Sequence, residues 1–81
     1  MKRIVYTKLA EKSIGRMQPK RRAAIRAKVD AYARGEKVDI KKLVGTPLYR
    51  IRVGQDRVII DDKGVVVMVL NAGARGDIYQ E

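Results

Sequence analysis

The chain contains no cysteine and no histidine. The first absence excludes disulfides and thiolate chemistry. The second removes the side chain that most often moves protons near neutral pH, and together they remove the usual zinc ligands. Nine acidic residues remain, but they lack the spacing of a carboxylate metal site, so a metal-free site without a cofactor is expected. Tryptophan and phenylalanine are missing too, and no apolar run reaches the roughly 18 residues of a membrane span. The first residues, Met1-Lys2-Arg3-Ile4-Val5-Tyr6, meet charge too early for a signal peptide. A cytoplasmic protein with no membrane association is the expectation.

Cations are abundant instead. Nineteen Lys and Arg stand against nine Asp and Glu, a formal net charge of +10, and the isoelectric point is near 10.3. That imbalance exceeds what solubility requires and points to a polyanionic partner: nucleic acid first, an acidic protein second, an anionic membrane third. The membrane is the weakest of the three, because the basic helix described below carries its apolar stripe at core spacing and lacks tryptophan or phenylalanine anchors. At 81 residues the expectation is one small domain spanning 1–81 with a modest core.

The densest concentration of informative residues is Tyr49-Arg50-Ile51-Arg52-Val53-Gly54-Gln55-Asp56-Arg57. Side chains alternate along a strand, so Tyr49, Ile51 and Val53 share one face while Arg50 and Arg52 share the other. Gly54-Gln55 suits a two-residue hairpin turn, which pairs Val53 with Asp56 and Arg52 with Arg57. Arg50, Arg52 and Arg57 then gather on one side, with Ile51, Val53, Val58 and Ile60 facing a core on the other. Like charges directly opposite one another destabilise a sheet. The bland interpretation is a solvated face in a basic chain; the sharper one is a phosphate site, since guanidinium groups match phosphate oxygens in bidentate geometry.

Around this hairpin the pattern predicts a short strand over residues 2–6, then a helix from the cap Thr7 to about Met17, with Leu9, Ile14 and Met17 near helical spacing. Pro19 opens and Gly35 closes a second helix. Its Ile25, Val29, Tyr32 and Ala33 form one apolar stripe, and Lys20, Arg21, Arg22, Arg26, Lys28 and Arg34 cover much of the rest, either as a solvated face or as an attractor for a polyanion. Residues 36–47 read as a polar connection anchored by Val38, Ile40, Leu43 and Val44. After the turn Asp61-Asp62-Lys63-Gly64, the run Val65 to Leu70 reads as a strand covered on both faces, and the glycine-rich stretch from Asn71 onward reads as its end. The expected class is α+β: a small antiparallel sheet with two N-terminal helices packed on one face, in the order β-α-α-β-β-β.

This order, with Leu43-Val44-Gly45, Tyr49-Arg50-Ile51-Arg52-Val53-Gly54, Asp56-Arg57-Val58-Ile59 and Gly73-Ala74-Arg75-Gly76-Asp77-Ile78-Tyr79 in succession, resembles the RelE branch of the RelE/ParE toxin superfamily. The likeness covers nearly the whole chain. RelE-like toxins are the toxic halves of toxin–antitoxin pairs and inhibit translation by cutting messenger RNA in the ribosomal A site. The resemblance therefore implies a metal-free, ribosome-dependent endoribonuclease, or mRNA interferase, in which a 2′-hydroxyl attacks the neighbouring phosphate. It also implies three partners: a cognate antitoxin protein, the ribosome and mRNA. Carried over by position, the RNA-binding residues are Arg50 and Arg52, and the catalytic ones are Arg57, Arg75 and Tyr79. Ala74 stands where many members carry histidine or lysine.

RNA transesterification needs a proton acceptor for the 2′-hydroxyl, charge stabilisation at the phosphorane, and help for the departing 5′-oxygen. Arg57 and Arg75 suit the second requirement, but arginine stays protonated and cannot shuttle protons. Tyr79 could act as base, with neighbouring arginines favouring its phenolate, or it could stack on an RNA base. Glu81 and Asp77 are further carboxylates at the same end. Tyr6, Tyr32 and Tyr49 read as packing residues. A ParE-like toxin, or an inactive relative, that binds DNA gyrase or another protein without cutting RNA is the alternative from the same superfamily; its members generally lack the hairpin and tail cations.

Overall fold

Residues 1–74 of the computed structural model are described below. The helices begin where the capping chemistry places them. Thr7, in extended conformation, accepts a hydrogen bond from the Ala10 amide at 3.1 Å and starts α1 (Lys8–Gly15), satisfying one of the free N–H groups of the first turn. Pro19 is the first residue of α2 (Pro19–Ala33). That helix ends on Gly35, whose φ of +85° lets the Gly35 and Glu36 amides bond back to the Tyr32 and Ala31 carbonyls, the reciprocal pair of a Schellman stop. Helix α1 buries Ala10 and Ile14 and leaves Leu9 exposed. Ile14 and Met17 are buried as expected, and Ala10 takes the place expected for Leu9.

Five strands form one sheet: β1 (Arg3–Tyr6), β2 (Ile40–Lys42), β3 (Tyr49–Val53), β4 (Asp56–Asp62) and β5 (Val66–Ala74), in spatial order β1-β5-β4-β3-β2. The α+β class and the two helices before a sheet hold as expected. Two features add to it. Ile40-Lys41-Lys42, inside the segment expected to be a connection, pairs with β3 as a short edge strand. At the opposite edge β1 runs parallel to β5, from Arg3 beside Val66 to Tyr6 beside Val69, so the sheet is mixed.

The core lies between the helices and one sheet face. Ile14, Ile25, Val29, Ile51, Val58, Ile60, Val67 and Val69 are fully buried, and Tyr6, Tyr32 and Tyr49 pack against this cluster as expected. Along β5 burial alternates from Val67 to Val69 and then skips to Ala72, across a register irregularity opposite Ile59 and Ile60. The apolar run is therefore covered mainly on one face. Pairing with β4 also carries the strand through the glycine-rich Asn71-Ala72-Gly73-Ala74, past its expected end.

A polar clamp closes the β1 end. The Tyr32 hydroxyl donates to Asp62 Oδ2 at 2.5 Å, while the Gly64 amide and Lys2 Nζ donate to Asp62 Oδ1 at 2.8 and 3.3 Å. The Tyr32 bond, helped by Gly64 and Lys2, holds the Asp62 carboxyl below its usual range. Burial first, then Asp62, pushes the Tyr32 hydroxyl up to about 12. The signs differ. A depressed carboxyl contributes stability above its unfolded pKa of about 3.9 and loses it as pH falls through the folded value; a raised phenol contributes below about 10 and loses it as pH rises toward its folded value. Denaturant titrations across pH should therefore show Asp62→Asn removing part of the acid-limb dependence and Tyr32→Phe removing part of the alkaline limb.

Candidate functional site

Gly54 takes φ +60°, a left-handed conformation that glycine adopts without strain, and the hairpin closes over Gly54-Gln55. The resulting register is the expected one: Val53 opposite Asp56, Arg52 opposite Arg57, Ile51 opposite Val58 and Arg50 opposite Ile59. Ile51, Val53, Val58 and Ile60 are buried on the helix side. Alternation therefore places Arg50, Arg52 and Arg57 together on the other side of the sheet.

This cluster is electrostatically unsettled. Arg52 faces Arg57 directly across the ladder, an arrangement that costs stability. None of the five ion pairs found among the described residues involves Arg50, Arg52 or Arg57. The Nε atoms of Arg50 and Arg57 are buried and have no hydrogen-bond partner among those residues. A buried, unpaired guanidinium N–H is expensive, so this placement of Arg50 and Arg57 costs stability. Arg52, Arg57, Gln55 and Ala74 line a depression of about 260 Å³. The geometry suits a bound phosphate.

Sequence reasoning brought these three arginines together correctly but missed what holds their turn. Asp56, only 5% exposed, lies on the core side at the start of β4. Arg21 of α2 grips it in a two-pronged bond, Nε to Oδ2 at 3.0 Å and Nη2 to Oδ1 at 2.5 Å. The pairing raises the Arg21 guanidinium still further above its ordinary range. It ties the helix to the residue next to Arg57. The clue in the sequence was the cross-strand pairing of Asp56 with Val53, which directs a carboxylate inward and so demands a cationic partner.

Much of the basic face of α2 is similarly engaged within the chain. Arg22 donates to the Met17 carbonyl at 2.6 Å, Arg34 to Glu36 at 2.6 Å, and Arg26 to Glu11 at 2.9 Å. Arg26 also stacks over the Tyr6 ring, 4.6 Å from its centroid, where cation and π face attract. Burial raises the Tyr6 hydroxyl although Arg26 opposes it. Four of the six basic residues of this helix segment are thus structural. On the sheet, Arg50, Arg52 and Arg57 make no ion pair among the described residues. Arg75 and Tyr79, with Asp77 and Glu81, lie outside the described residues.

No family model and no curated protein matches the chain. Solved structures do. The RelB–RelE antitoxin–toxin complex from Methanococcus jannaschii contains a chain that superposes with a TM-score of 0.74 and 25% identity, over 88% of this chain and 89% of that one. The archaeal RelE–RelB complex from Pyrococcus horikoshii OT3 gives a TM-score of 0.74 and 28% identity, over 94% and 97%. The toxin–antitoxin complex RelBE2 from Mycobacterium tuberculosis gives 0.70 at 18% identity, over 94% and 93%, and bears on the fold alone. The resemblance read from the hairpin and its flanks is matched by the whole architecture: the chain has the RelE fold, and it is similar in sequence to two of these chains across nearly its full length.

Proposed function

We propose that this chain is the toxin of a toxin–antitoxin pair and that it cleaves mRNA in the ribosomal A site. The observation that carries the reading is the outward Arg52–Arg57 pair with Arg50 beside it, three cations whose mutual repulsion is relieved by a phosphate. In the reaction, the 2′-oxygen attacks the adjacent phosphorus and the bond from phosphorus to the 5′-oxygen breaks. A 2′,3′-cyclic phosphate remains, and the departing 5′-oxygen takes a proton from water to become a free 5′-hydroxyl. Arg57 neutralises charge that develops on the phosphorane, with Arg75 as its partner, while Arg50 and Arg52 hold the flanking backbone. Tyr79 takes the 2′-proton or stacks on a base, with Glu81 and Asp77 as the other proton acceptors.

A site without histidine has weak acid–base chemistry of its own. The ribosome then contributes by holding the RNA near in-line geometry, which lowers the entropic part of the barrier. Purified protein should scarcely cut naked RNA yet cut mRNA on programmed ribosomes. Equal cutting of free and ribosome-bound RNA would overturn the ribosome dependence.

The similarity to chains solved with antitoxins supports an antitoxin for this chain as well, acidic where it meets the cations. Expression with and without the neighbouring open reading frame, followed by mapping of mRNA 5′ ends, tests the whole reading. Codon-phased cuts that vanish in Arg57→Ala and Arg75→Ala variants are the expected result. DNA damage with intact mRNA would instead identify a ParE-like protein that acts on gyrase.

A further inference from the structure

We propose that Lys41, on the edge strand β2, is an additional RNA-positioning residue that binds a backbone phosphate next to the one cleaved. The inference rests on the RNA reading above and extends the site by one strand. Ile40 lies opposite Ile51 and packs toward the core, and Lys41 lies opposite Arg50. Alternation then puts Lys41 on the arginine face. Its side chain is exposed, as is that of Arg52, and it forms no ion pair among the described residues.

Neighbouring strands are about 4.8 Å apart, so Lys41 lies two strand spacings, roughly 10 Å, from the β4 line that carries Arg57. That distance places it beyond the cleaved phosphate but within reach of an adjoining one. The course is directional. At the other end of β2, Asp39 accepts the Arg52 amide through its carbonyl at 2.9 Å, which aligns it with Arg52, and the same alternation puts its carboxylate on this face. An RNA backbone leaving Arg57 is therefore repelled on the Asp39 side and attracted on the Lys41 side, along a diagonal through Arg50. Lysine suits this outer position, where a point charge suffices and no bidentate fork is needed. Edge strands also carry lysine merely to block pairing with other sheets, and that role predicts no RNA effect at all.

The test is binding of short single-stranded RNA by the full chain, followed by fluorescence anisotropy across a salt series. The RNA carries 2′-deoxy substitution to prevent cleavage. Lys41→Ala should lower the slope of log affinity against log salt by about 0.7 and weaken binding roughly fivefold at 0.1 M salt, the signature of one lost phosphate contact on a single strand; Lys41→Arg should keep both. Neutral methylphosphonates are then placed at each linkage in turn. At one linkage the wild type should lose affinity while Lys41→Ala loses nothing further, a coupling that general charge loss cannot produce. Equal losses at every linkage, or no loss in Lys41→Ala where Arg57→Ala weakens binding, would overturn the Lys41 assignment alone. If Arg57→Ala has no effect either, the RNA reading falls and takes Lys41 with it.

Discussion

Replacing Arg57 with alanine should reduce single-turnover cleavage on programmed ribosomes by about 10²–10³, the range seen when one preorganised donor to a developing oxyanion is removed. The same change should leave the fold intact. Arg57 makes no ion pair among the described residues, and it stands directly opposite Arg52, so its removal relieves a like-charge contact that costs a few tenths of a kcal/mol or more. Urea unfolding should therefore show Arg57→Ala to be as stable as the wild type or slightly more so. The opposed directions of activity and stability mark a residue placed for chemistry at the expense of folding. Arg57→Lys keeps the charge but loses the fork, and should fall between the two. Wild-type cleavage by Arg57→Ala would remove the basis for its assignment.

Ile51→Ala should do the reverse. Ile51 is fully buried, lies opposite Val58 on one side and Ile40 on the other, and sits between the two arginines of its own strand. Truncating an isoleucine in such a position costs about 2–5 kcal/mol, from lost transfer energy and the cavity left behind. Domains of this size are stable by only about 5–15 kcal/mol in total, so the variant should melt at least 8 °C lower, at about 4–8 °C per kcal/mol. Ile51→Val, at about 0.5–1.5 kcal/mol, should lie close to wild type. Denaturant midpoints with an unchanged slope would attribute the difference to stability alone. A midpoint for Ile51→Ala equal to the wild type would mean that the hairpin is not seated on the core in this way.

The hairpin was legible because its determinants are local: alternation fixes the faces, and Gly54 fixes the turn and hence the register. Helix α2 was legible for the same reason, with Pro19 and Gly35 at its ends. What escaped depends on partners distant in sequence. β2 is three residues long, two of them lysine, and only its pairing with Tyr49-Arg50-Ile51 makes it a strand. Asn71 to Ala74 look like a strand end by propensity, but the β4 ladder extends through them. Leu9 and Ala10 are adjacent on α1, and the smaller of the two is the one the fold buries. The pairing of Asp56 with Val53 hints that its carboxylate turns inward, but the partner that meets it, Arg21, lies 35 residues earlier. Of the expected site residues, the structure speaks for Arg50, Arg52 and Arg57, which share one face; Arg75 and Tyr79 are beyond the described residues.

The parallel pairing of β1 with β5 joins Arg3 to Val66 and Tyr6 to Val69, so β1 has no partner in the sheet until β5, about 60 residues later, has been made. Contacts of that sequence separation form late and slowly, because a long loop must be closed before any of them is gained. During translation, then, β1 waits, and this edge of the sheet is completed only once residues 66–69 have been made. Chains interrupted before residue 66 lack the strand that joins β1 and α1 to the hairpin.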